Sequence, residues 1–151
     1  MNWTFDICLK NRNILEGFLN QFTLDELNKI PNGFSNNIFW NIAHVVVTQQ
    51  LLVYRNSGLP MFISDDLIEK YKKGTKAETD VKREEVEEIR GLLFSSLEQL
   101  VKDYNKGLFK NYNDYTVSTK STLTNVEEAL EFNNFHEGIH LGYILALKKS
   151  L

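Results

Sequence analysis

Residues 136–140 read HEGIH, and the meaning of these five letters decides what kind of fold the chain has. They match H-E-x-x-H, in which two histidines one helical turn apart hold zinc and the glutamate acts as general base. A zinc protease of that type takes its third ligand from further along the chain. The stretch that follows, LGYILALKKSL at 141–151, has no His, Asp, Glu or Cys. A protease is therefore not expected. The sequence contains three histidines, so the one remaining partner for the pair is His44.

Outward from the pair, the spacing predicts a helix capped by Thr124 or Asn125, with Glu127 and Glu128 in its first turn and Lys148 or Lys149 at its end. His136 and His140 then share one face, their Cβ atoms roughly 6 Å apart. Phe132, Tyr143 and Leu147 lie on the same face, which is expected to point inward. Glu137 lies about 100° round the helix from His136 and is expected to face solvent or the rim of a site. It is the one candidate for a catalytic residue, because from a rim it could lean toward a bound water. Gly138 and Gly142 each cost a helix about 1 kcal/mol against alanine; their spacing reads as close packing.

Three further helices are predicted. Phe5, Cys8, Leu15, Phe18, Leu19 and Phe22 recur at helical spacing. Thr23, Asp25 and Glu26 cap a short turn before the loop at 30–35. A second long helix starts at Ser35 to Asn37 and ends near Asn56, where Ser57-Gly58-Leu59-Pro60 stops it. It is apolar nearly all round, so it is either central or part of a subunit interface, with Val45-Val46-Val47 available for the latter. After a short helix at Asp65 to Lys72, ended by Gly74, the third long helix spans Lys82 to Tyr104. Its stripe is Val86, Ile89, Leu93, Leu97, Leu100 and Tyr104; Glu84, Glu85, Glu87 and Glu88 form a solvated face. Residues 106–124 read as a small hairpin or an extended loop. Four long amphipathic helices imply an all-α four-helix bundle.

The 151 residues are sized for a single domain, 1–151, able to bury its own core. Net charge is -3 with no basic stripe, so no nucleic-acid partner is expected. One cysteine, Cys8, excludes an internal disulfide and fits a reducing compartment; it reads as a small core residue rather than a nucleophile. No secretory pattern and no apolar run of membrane-spanning length appear, so a soluble, cytoplasmic protein with no membrane partner is expected.

A lone histidine such as His44 on an apolar helix is more often a hydrogen-bonded core residue than a ligand. The three together read differently. Buried separately, each would need partners for both ring nitrogens, whereas one divalent ion satisfies all three. Facing helices 8 to 10 Å apart can close such a site from two sides. Three neutral imidazoles leave one to three coordination positions open, as in catalytic rather than structural sites. An ion so held can acidify water or a thiol, which points to hydrolysis or thiol transfer. Trp40, Asn41 and Thr48 near His44, and Asn133 and Tyr143 near the pair, are candidates to orient an imidazole or a substrate.

Asn37-Ile38-Phe39-Trp40-Asn41-Ile42-Ala43-His44 and Phe135-His136-Glu137-Gly138-Ile139-His140-Leu141-Gly142 resemble the motifs of the DinB-like (DinB/YfiT) superfamily. The resemblance covers nearly the whole chain. It implies a four-helix bundle with long crossover connections, a three-histidine site for one divalent ion, zinc or nickel, and a homodimer. It also implies activities that range from S-transfer with low-molecular-weight thiols to thiol-dependent isomerisation and metal-dependent hydrolysis. A metal-dependent enzyme of thiol S-transferase or hydrolase type is the leading expectation, and a non-catalytic, stress-related metal-binding homodimer is the alternative.

Overall fold

A computed structural model describes residues 1–151. The chain forms six α-helices: α1 (Asn2–Gln21), α2 (Leu24–Asn28), α3 (Ile38–Gln49), α4 (Asp65–Tyr71), α5 (Arg83–Asn105) and α6 (Val126–Lys148). A π-helical turn, Gln50–Arg55, continues α3 without a break. The one sheet is the two-stranded hairpin of β1 (Tyr115–Thr116) and β2 (Thr122–Leu123), with Tyr115 opposite Leu123. The hairpin alternative of the sequence reading is thus the one formed. No helix is long and apolar enough to cross a membrane.

Local chemistry sets the helix starts. Thr23 and Glu26 form a reciprocal capping box at α2. Ser64 caps α4 and Asn125 caps α6. Asn37 has two jobs: its Oδ1 accepts from the Trp40 amide at 2.7 Å, and its Nδ2 donates to the Asn28 carbonyl at 3.0 Å. It therefore caps α3 and ties that cap to the end of α2. Asn37→Ala is expected to cost about 1–2 kcal/mol of stability in urea unfolding. Asn37→Asp should recover most of the capping share, because its carboxylate still accepts from the Trp40 amide.

The long helices touch in the cyclic order α1–α6–α3–α5–α1, and α3 also packs on α2 and α4. Every residue of α3 except Thr48 is buried. The second long helix is therefore central. Val45, Val46 and Val47 are each 0% exposed within the single chain, so they are not available to a subunit interface. A homodimer has to use another face. Val86, Ile89, Leu93, Leu97 and Leu100 of α5 are buried as their spacing predicts.

The inward face of α6 differs from the expected one. Its buried residues are Val126, Ala129, Leu130, Asn133, Glu137, Ile144 and Leu147, with the two histidines beside that line. Tyr143, expected inward, is 43% exposed and packs edge-on against Phe34. The close packing read from Gly138 and Gly142 is absent: a Cβ at either position would meet nothing within 4 Å. These glycines face open space.

Candidate metal centre

The helices bring the three histidines together. Ring centroids lie 5.1 Å apart for His44 and His136, 4.7 Å for His44 and His140, and 4.5 Å for His136 and His140. One ring nitrogen from each lies within 4.8 Å of the others, so the cluster could hold a metal ion.

The surrounding contacts fix which nitrogens face inward. His44 Nδ1 donates to the Tyr71 carbonyl at 2.6 Å, leaving Nε2 with its lone pair, which accepts from the Thr48 hydroxyl at 3.2 Å. The indole of Trp40 stacks on the His44 ring at 4.6 Å. Asn41 Nδ2 donates to the Asn37 carbonyl, so its Oδ1 is the atom that accepts from His140 Nδ1 at 2.7 Å. His140 Nε2 is then also a bare lone pair, 3.1 Å from His136 Nε2. Two ligands held tetrahedrally by one ion at about 2.1 Å would sit about 3.4 Å apart, so little movement separates this pair from ligand spacing. Without an ion, His136 Nε2 has to carry the proton shared with His140, and its buried Nδ1 has no partner. A cation would accept all three Nε2 lone pairs at once and end the facing of His136 Nε2 with His140 Nε2, while His136 Nδ1 stays without a partner. The donor set therefore fits a divalent metal.

Burial keeps the imidazoles neutral. Desolvation, then the neighbouring imidazoles and Arg12, push His136 down to about 2. Desolvation and His44 push His140 down to about 4, and desolvation lowers His44 despite its bond to Tyr71. Unfolded histidine titrates near 6.5, so in metal-free protein these groups contribute stability in full above that pH. The contribution is lost as pH falls from about 6.5 toward the folded values, where the unfolded chain binds more protons. Metal-free protein should lose up to about 1.4 kcal/mol per pH unit for each imidazole between pH 6 and 5. Urea unfolding at stepped pH measures this slope, and His136→Ala should make it shallower.

Glu137 is not at the rim. It is 0% exposed and faces α1, where its Oε1 accepts from Arg12 Nε at 3.0 Å, Arg12 Nη2 at 2.7 Å and Asn133 Nδ2 at 2.9 Å. The buried Cys8 thiol also points at Oε1 from 3.6 Å, and burial pushes that thiol up to about 12. The angle from His136 was compatible with two directions, and a buried cation on α1 selects the inner one. Asn133 accordingly serves Glu137 and makes no bond to a histidine. Tyr143 stands outside the cluster.

Arg12 was missed from the sequence. It is 0% exposed and lies in the α1 line Cys8, Arg12, Leu15, Leu19. The signal was available: the apolar stripe skips one turn between Cys8 and Leu15, and Arg12 fills it. Tyr71 contributes a backbone carbonyl, which no side-chain pattern reveals.

The histidines line a cleft of about 620 Å³. Leu51, Leu52, Phe132 and Ile139 give it apolar walls, and Tyr115, Val117 and Ser118 of the hairpin region cover one side. That cover is tied down: the Tyr112 hydroxyl donates to the Leu52 carbonyl at 2.9 Å, and the Asn113 amide to the Asn56 carbonyl at 2.7 Å.

No curated protein matches the sequence. Residues 9–144 match the family model described as the DinB superfamily. With the match running from α1 through most of α6 and taking in all three clustered histidines, the chain belongs to the DinB superfamily.

Proposed function

We propose that His44, His136 and His140 hold one divalent ion, zinc or nickel, and that the chain is a metal-dependent enzyme of thiol-transfer or hydrolytic type. The observation that carries this reading is the convergence of three neutral imidazoles on the floor of an open cleft. A structural site would be closed on all sides. When bound, such an ion supplies an electrophile able to acidify water or a thiol near neutral pH.

The chain's own residues do the rest. The Tyr71 carbonyl and Asn41 Oδ1 hold the Nδ1 protons of His44 and His140, which aims both Nε2 atoms at the ion. His136 joins them by moving its proton from Nε2 to Nδ1. The Trp40 face restrains His44. Leu51, Leu52, Phe132 and Ile139 exclude water from a substrate in the cleft. In this reading the long helices form the DinB-type four-helix bundle with crossover connections, in a cytoplasmic homodimer.

Metal analysis of protein purified without a histidine tag tests the proposal. About one equivalent per chain is expected, and less than about a tenth, with no uptake on adding zinc or nickel, would defeat it. Turnover is then sought with low-molecular-weight thiols plus electrophilic acceptors and with an ester and amide panel. Any activity found should fall at least about a hundredfold in His136→Ala; activity that survives would remove the metal from the mechanism.

A further inference from the structure

The mouth of the histidine cleft carries a charge pattern that metal binding does not need. Two cationic side chains line it, Arg55 from the π-helical turn and Lys73 from the turn after α4. None of the residues lining the cleft is Asp or Glu, although the chain holds 20 acidic residues against 17 basic ones. Five of the 17 basic residues pair with carboxylates: Lys10, Arg12, Lys70, Lys72 and Arg90. Arg55 and Lys73 pair with none.

Both are placed by elements that also build the metal centre. Arg55 ends the π-helical turn that continues the helix carrying His44, less than two turns beyond Thr48, which also lines the cleft. Lys73 lies two residues after Tyr71, whose carbonyl holds His44, and Gly74 turns the chain there with φ +90°. Leu51, Leu52, Phe132 and Ile139 line the same cleft as these cations and the histidines. A ligand that satisfies all three kinds of lining has a metal-seeking group, an apolar portion and an anionic group.

We infer that Arg55 and Lys73 form an anion-recognition site at the mouth of the cleft, and that the substrate is a small amphiphilic organic acid, carboxylate or phosphate. The inference rests on the metal-centred function proposed above, because it takes the histidine floor as the reacting end. Arg offers a planar fork for a carboxylate or phosphate, and Lys adds a point charge. In a cleft with no competing acid, such charge-assisted bonds discriminate against an uncharged isostere by about ten- to a hundredfold.

The test compares two probes that differ in one group, 4-mercaptobenzoate and 4-mercaptobenzamide, by calorimetric titration into zinc-loaded protein at low salt. The acid should bind about ten- to a hundredfold tighter, and the ratio should shrink as salt is raised. In the Arg55→Gln/Lys73→Gln double variant the ratio should fall close to one, and in Lys149→Gln, at the far end of α6, it should persist. Affinities within about twofold in the unaltered protein, on the scale of charge-assisted bonds, would overturn the inference. So would a preference that survives the double variant. Zinc uptake is read beforehand and the titrations are repeated on metal-free protein. Failure to take up zinc counts against the function proposed above, while the acid-to-amide ratio still decides the anion site.

Discussion

Arg12→Met should lower the unfolding free energy by about 3–5 kcal/mol in urea at pH 7, the largest single effect expected away from the histidine cluster. The reason is electrostatic. Arg12 and Glu137 both have side chains 0% exposed and meet at 2.7 Å. Desolvation opposes the Arg12 charge, and the carboxylate beside it more than offsets this, holding the guanidinium pKa above its ordinary value. Removing the cation leaves a buried carboxylate facing Asn133 and the Cys8 thiol, neither of which carries a positive charge. The double replacement Arg12→Met/Glu137→Leu should recover most of the loss, because a well-packed apolar pair of similar volume is often as stable as a buried ion pair. A single-variant cost below about 1 kcal/mol would mean that the pair is relaxed by solvent. The double variant also separates two roles. Glu137 adjoins His136 in α6, so zinc affinity in the stable double variant reports whether the ion pair positions that ligand or only holds α1 against α6.

The same pair shows where sequence reasoning reaches its limit. Helix periodicity was legible in α5, which buries one line of apolar side chains from Val86 to Leu100. The histidine cluster was legible because i, i+4 spacing fixes His136 and His140 on one face, and only one further histidine exists. Glu137 was not. Its angle on the helix allowed either solvent or core, and the deciding group, Arg12, is 125 positions away. The direction of Tyr143 failed similarly, since helical phase alone does not say how wide the buried face is. Gly138 and Gly142 failed because a glycine signals only that a side chain is absent, and here both positions are open. The cleft is assembled from Leu51 to Asn56, Lys73, the hairpin region and α6, so no local pattern encodes it.

Zinc at a thousandfold its dissociation constant should stabilise the protein by about 4 kcal/mol, which for a chain of this size is roughly 8–16 °C in Tm. The gain depends on all three imidazoles, so His44→Ala, His136→Ala and His140→Ala should each remove most of it. Asn41→Ala should remove part: with Oδ1 gone, nothing fixes the His140 Nδ1 proton, and zinc affinity should drop about 10- to 100-fold. Without metal the order of stabilities should reverse. Metal-free protein buries a His136 whose Nδ1 has no partner, beside two further desolvated imidazoles. His136→Leu removes that conflict, so metal-free His136→Leu should melt above metal-free parent protein, as expected when a site is built for a ligand rather than for stability. A fold organised around the ion predicts both signs together. A zinc shift below about 1 °C at such excess, or one that persists in His44→Ala, would show that these imidazoles are packing groups and that the cleft above them serves another chemistry.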